Sequence, residues 1–232
     1  MTMTPEAKNI FLDRYLTPIA VLVGAVLIAA ALYFGDGAPR TAIAPSPEPA
    51  AEVDIRNVKE GTGPVVGNPN APVTMAVWVD FQCRFCKMFE TTALAEVHRT
   101  YVANGQVRIL YKDFQFLGPA SVEAAVYSRA VWEAYPDRWH EWFAQMFEGA
   151  EESAPSTASM DRIASSLGLD VARITELRAS KEGEYLAAIE ADMVEGQSFG
   201  VAGAPGTIIG KQLIPGALPF ADIKAAIDAE LN

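Results

Sequence analysis

Hydrophobic and polar positions change rhythm several times along this chain. From Tyr15 to Phe34 runs an uncharged stretch of Leu, Val, Ile, Ala, Gly and aromatic residues, about as long as a helix needs to cross a bilayer. The run exceeds the roughly 7–15 apolar residues of a cleaved signal peptide, so residues 15–34 are expected to be a retained transmembrane anchor. Residues 35–52, GDGAPRTAIAPSPEPAAE, carry four prolines among small and polar residues and predict an extended linker. Val73 to Phe81, VTMAVWVDF, has the length and β-branched character of a central buried strand. Past Cys83 the period lengthens: Phe85, Phe89, Ala93, Val97 and Tyr101 recur every four residues, which predicts a helix with one buried stripe, stopped at Asn104-Gly105. Gln106 to Lys112 reads as a second strand, completing a βαβ unit. From about Pro119 to Gln197 several helical segments form an insertion. A short strand pair, Thr207 to Ile209 and Gln212 to Ile214, and a helix that starts around Pro219 to Asp222 and runs through Ile223 and Ile227 close an α/β domain spanning residues 53–232.

Charge and cysteine count narrow the function. The formal charge of -11 lies entirely beyond the first 35 residues, where Glu6 and Asp13 offset Lys8 and Arg14. Such an acidic domain repels a phosphate backbone, so nucleic acid is excluded as a partner. Lys8, Arg14 and the amino terminus precede the apolar run and only Arg40 closely follows it, which places residues 1–14 in the cytoplasm and the domain outside. Two cysteines are too few for a disulfide scaffold.

Those two, Cys83 and Cys86, sit with Arg84 and Phe85 between them where the strand ends and the helix begins. A thiolate at Cys83 faces free backbone N–H groups and the positive end of the helix dipole, and Arg84 adds a cation, so its pKa is expected to be lowered. Cys86, one turn further along, is expected deeper. The reading is that Cys83 is the exposed attacking or attacked sulfur and Cys86 the resolving thiol. A zinc site would need two more ligands. The histidines are His98 and His140, and His98 stands roughly 18 Å along the helix from Cys86, so no metal is expected there. A purely structural bridge across so short a loop constrains little, and inert thiols fit poorly with an outward-facing domain. Pro205, in GVAGAPGTIIG, opens a strand. Trp132, Tyr135, Trp139, Trp142 and Phe143 read as packing, His98 and His140 as surface or capping residues, and Glu148 to Glu152 as a solvated loop. Nothing suggests a nucleotide, haem or flavin, and no cofactor is expected.

The segments GNPNAPVTMAVWVDFQCRFCKMFE, YKDFQFLGPAS and GVAGAPGTIIG, with the final strand pair and helix, resemble the DsbA-like branch of the thioredoxin superfamily, particularly its membrane-tethered members. The resemblance covers roughly residues 60–232. It implies a thioredoxin-like fold with a helical insertion before a cis-proline strand. It also implies that Pro205 is cis and lies against the cysteines, with the backbone of Ala204 offering a strand partner to a bound chain. Three positions depart from the family pattern: Val77 stands where many relatives have a buried glutamate, Arg84-Phe85 lacks a histidine, and Ala204 replaces threonine or valine. With Val77 in place, Lys112 or Asp113 is a candidate proton carrier beside water.

The leading expectation is a disulfide donor acting on unfolded or reduced client proteins on the periplasmic side of the inner membrane; the resemblance implies reoxidation by a quinone-coupled membrane partner, an encounter that tethering to the same bilayer would favour. The alternative is a reductase or isomerase kept reduced by a membrane donor. A third reading, from another class, is a tethered binding module using apolar surface around Phe81, Phe85 and Pro205.

Overall fold

The computed structural model describes residues 52–148 and 154–232. The expected anchor, nearly all of the linker and most of the acidic run after Glu148 lie outside the described residues. Among those described, no helix is long and apolar enough to cross a membrane.

Strands β1 (Val65–Gly67), β2 (Val73–Val79), β3 (Val107–Asp113), β4 (Gly206–Ile209) and β5 (Gln212–Pro215) form one mixed sheet in the order β1-β3-β2-β4-β5. β2 and β3 run parallel with Val73 opposite Val107, whereas β4 lies antiparallel to β2 with Thr207 opposite Val77. Side chains of a strand alternate between faces. Both faces of β2 are covered, so its sequence reads as one apolar run. Val73, Met75, Val77 and Val79 enter the larger core cluster, while Ala76 and Trp78 join Leu110, Phe114, Phe199 and Ile208 in a second. Strand β1 has no counterpart in the sequence reading, because three residues are too short to display a period.

Helix α1 starts at Arg84–Phe89 and continues through the wide π-type turn Glu90–Leu94, the α-helical Ala95–Val97 and a second π-type turn, His98–Val102. The four-residue repeat explains this. In a regular helix each four-residue step overshoots a full turn by about 40°, so Phe89, Ala93, Val97 and Tyr101 would rotate out of line. The wider turns absorb the drift, and all four are buried. Phe85 does not belong to that stripe: it is 47% exposed beside Cys83.

The insertion consists of α2 (Pro119–Ala134), α3 (Trp139–Glu148), α4 (Thr157–Ser166) and α5 (Val171–Ser198); α6 (Phe220–Leu231) ends the chain. Helix α5 is continuous where the sequence suggests two pieces. Gly183 interrupts the pattern, but a helical glycine costs only about 1 kcal/mol, which packing along α2 and the Asp170 cap on the amides of Ala172 and Arg173 offset. Trp139, Trp142 and Phe143 are buried as core. Phe81 joins them, stacked on Phe147 at 5.9 Å and edge-on to Phe143 at 5.7 Å.

A buried ionic network ties β3 to α2 and α5. Lys112, its side chain 1% exposed, pairs with Asp192 at 2.8 Å and Glu195 at 3.1 Å. Arg129 pairs with Asp113 at 2.7 Å and Asp192 at 2.6 Å. Burial pushes the Asp113 carboxyl up, against the pull of Arg129. Lys112 and Asp113 are thus committed to this network.

Candidate active site

Cys83 occupies the N-cap of α1 because β2 ends at Val79 and a short connection, Asp80 to Gln82, turns the chain into the helix. Both thiols are free. Neither is widely exposed: Cys83 is 6% and Cys86 2% accessible, so the expected asymmetry is present, but the outer sulfur lies under a ledge. That ledge is the Ala204-Pro205 pair, joined by a cis peptide bond. The Cys83 thiol donates to the Ala204 carbonyl at 3.2 Å.

The electrostatics separate the two sulfurs. Cys83 falls from an ordinary 9.0 to about 6, chiefly because the Cys86 thiol donates to its sulfur, with the backbone N–H groups of Cys86 and Phe85 assisting against burial. Cys86 moves well above its usual value, first through burial and then because its proton is held against Cys83. The expected cationic help from Arg84 is not the leading cause. Its guanidinium lies over the Phe85 ring, 4.8 Å from the centroid.

A residue the sequence reading missed organises this end of the sheet. Asp80 is fully buried. Its carboxylate accepts from the Gln82 amide at 2.7 Å, the Ser121 hydroxyl at 2.7 Å and the amides of Phe116 and Leu117 at 2.9 and 3.0 Å. The Asp80 amide donates to Cys86 Sγ at 3.5 Å, and the Asp80 charge raises both cysteine pKa values. The signal was present: a charged residue closing an apolar strand three positions before Cys83 is costly unless its oxygens are satisfied. Val77 is wholly buried and supplies no proton-carrying group.

His98 and His140 are not simple surface or capping residues. Their rings stack with centroids 3.9 Å apart, and burial, aided by His140, takes His98 down to about 3. Among the described residues the groups with metal-ligating geometry are Glu90, His98 and His140, and neither cysteine is among them.

The sequence profile of the thioredoxin family matches residues 59–229, from before β1 into α6. The chain belongs to the thioredoxin family. Within it, the protein is a thiol:disulfide oxidoreductase. It is 26% identical over 176 residues to disulfide bond formation protein D of Bacillus subtilis (strain 168), covering 73% of this chain and 77% of that protein. Among solved structures it is similar to the thiol-disulfide exchange protein alpha-DsbA2 from Wolbachia pipientis, with a TM-score of 0.67 at 23% identity, covering 74% of this chain and 88% of the other. It is also similar to oxidised BdbD from Bacillus subtilis, with a TM-score of 0.65 at 23% identity over 73% and 93% of the two chains.

A pH profile follows for this thioredoxin-family site. Alkylation of the reduced protein at Cys83 by iodoacetamide is expected to rise with a midpoint near pH 6, as the thiolate forms. A folded pKa below the unfolded one stabilises the reduced protein at high pH, and that contribution fades as pH falls through about 6. Urea unfolding of the reduced and oxidised forms across pH 5–9 checks the sign. A midpoint near 9 would refute the assigned hydrogen bonds.

Proposed function

We propose that the protein donates disulfides, with Cys83 and Cys86 as its redox pair. A client thiolate attacks Cys83 of the Cys83–Cys86 disulfide, forming a mixed disulfide and releasing Cys86 as thiolate. The client's second thiolate then attacks the client sulfur of that bond, so the client leaves with a disulfide and the protein with a dithiol, having gained two electrons. Reoxidation returns those electrons to an acceptor; a quinone-coupled partner in the membrane fits a chain with an apolar run at residues 15–34, and the domain would work on the extracytoplasmic side.

The observation that carries this reading is the stabilised thiolate at Cys83, since whatever favours the reduced form makes the disulfide the stronger oxidant. The surroundings fit an extended client. Phe85 and Met88 near the start of α1, and Phe116 and Leu117 on the loop held by Asp80, are exposed apolar side chains. Ala204 offers backbone beside the sulfur for strand-like pairing. The binding-module reading leaves the asymmetry of the sulfurs unused, and its Phe81 is core.

One observation favours the reverse direction: a pKa of about 6 is nearer the ~7 of thioredoxin than the ~3.5 of DsbA. The reduction potential decides. Equilibrating the full-length chain in detergent against glutathione and trapping free thiols is expected to give a value between about -180 and -120 mV, whereas one near -270 mV would make the protein a reductase.

A further inference from the structure

Glu90 and His98 project from α1 and His140 from α3 toward one point, where one ligand atom from each lies within 4.8 Å of the others. His140 Nε2 is 3.2 Å from Glu90 Oε1, and His98 Nε2 is 2.7 Å from the Tyr111 hydroxyl. The other carboxylate oxygen, Glu90 Oε2, is buried without a hydrogen-bond partner, in a residue only 6% exposed. A buried carboxylate with one orphaned oxygen calls for a cation. A neutral imidazole carries one lone pair that can ligate a metal ion. Helix geometry contributes as well. Residues eight apart on a regular helix are out of line by about 80°, and the wide turn Glu90–Leu94 returns His98 to the face of Glu90.

We propose that Glu90, His98 and His140 form a binding site for one divalent transition-metal ion, with zinc the best match and the Tyr111 hydroxyl or a water completing the shell. Two imidazoles and a carboxylate suit a borderline ion that takes three protein ligands and keeps a fourth position open. Their summed charge of minus one leaves a modest net positive charge once a divalent ion enters. Such an ion would clamp α1, whose first turn carries the cysteines, to α3 of the insertion. Glu90 is four residues past Cys86, about 6 Å along the helix axis, so the ion would sit beneath the redox pair without touching sulfur. No electron transfer is required of it.

The test uses the full-length, tag-free chain in detergent, stripped with a chelator and oxidised with diamide so that neither cysteine can bind metal. Cobalt(II) is titrated by visible absorption and zinc by calorimetry. One equivalent is expected, with ligand-field bands of a nitrogen and oxygen site, no sulfur charge-transfer band, and displacement of cobalt by zinc. His98→Gln and His140→Gln should each weaken zinc binding by at least roughly 10- to 100-fold, the loss that removing even a supporting partner of a ligand causes. His140 is 30% exposed and tolerates exchange, so that variant decides the matter if His98→Gln does not fold. Absence of saturable binding to the wild-type chain, or an affinity unchanged in His140→Gln, overturns the site.

Discussion

Cys86→Ser is expected to convert the protein from a catalyst into a trap that accumulates a covalent Cys83–client adduct, while Cys83→Ser drops exchange to the background rate. The reason lies in how the sulfurs hold each other. In the dithiol, the Cys86 proton is pinned by burial and by the hydrogen bond and charge of Cys83. Once Cys83 enters a mixed disulfide its charge is gone, and two of the three leading causes that raise Cys86 vanish. Cys86 then ionises more readily, beside the Asp80 amide that donates to its sulfur at 3.5 Å. Exchange runs both ways: in the donor direction the client's second thiolate releases the client, whereas Cys86 frees an adduct that stalls or that forms from a client disulfide, and that release is tied to occupancy of Cys83 and cannot be performed by a serine hydroxyl. The measurement is a non-reducing gel of each reduced variant mixed with a client that carries a disulfide: Cys83 attacks that bond, one client sulfur joins Cys83 and the other leaves as thiolate, and the band is recovered on reduction. Accumulation of the adduct in Cys83→Ser instead, or wild-type turnover by Cys86→Ser, would reverse the assigned roles.

Asp192→Ala is expected to be the most damaging substitution away from the cysteines. Its carboxylate pairs with Lys112 and Arg129 and accepts from the Asp113 amide at 3.4 Å, while its carbonyl accepts from Trp78 Nε1 at 2.8 Å. Truncation strands two buried cations with fewer partners, a change that typically costs about 3–5 kcal/mol. For a domain of this size each kcal/mol moves Tm by roughly 2–4 °C, so the midpoint should fall by roughly 6–20 °C. Replacing Lys112 and Asp192 together with apolar residues of similar volume should cost less than Asp192→Ala alone, because the buried Lys112 charge leaves with its partner, Arg129 keeps Asp113 and Glu195 keeps the Lys59 amide. Exchange rates measured well below the lowered midpoint should stay near wild type, since the network is separate from the thiols. A loss under about 1 kcal/mol in urea unfolding would show the network to be energetically idle.

The sequence made some of this plain and concealed the rest for identifiable reasons. Strand β2, the cysteine turn and the helical insertion were legible because each is a long periodic segment or a spacing with chemical meaning. Pro205 drew notice as a strand-opening proline, and the resemblance supplied its cis bond and position. Asp80 was overlooked because its importance depends on four donors, three of them from residues more than thirty positions away. The pairing of His98 with His140 was hidden for the same reason: it needs α3 to fold across α1. Arg84 adjoins Cys83 in sequence, but the direction of its side chain is not legible there: the guanidinium lies over the Phe85 ring. The four-residue repeat was seen, but its mismatch with 3.6 residues per turn, which predicts the wide turns, was not drawn out.

The lateral margins of the sheet carry a consequence of their own. β1 has three residues and ends in Gly67, with φ of +114, and β5 has four and ends in Pro215, which has no amide hydrogen. Long open margins invite other chains to dock by backbone pairing and grow into aggregates. A protein with the proposed role would meet that hazard at every encounter. With both outer strands stunted, little unpaired margin is offered to a passing extended chain, and on that proposal the short run of backbone at Ala204, which accepts from the Cys83 thiol, would be the favoured berth.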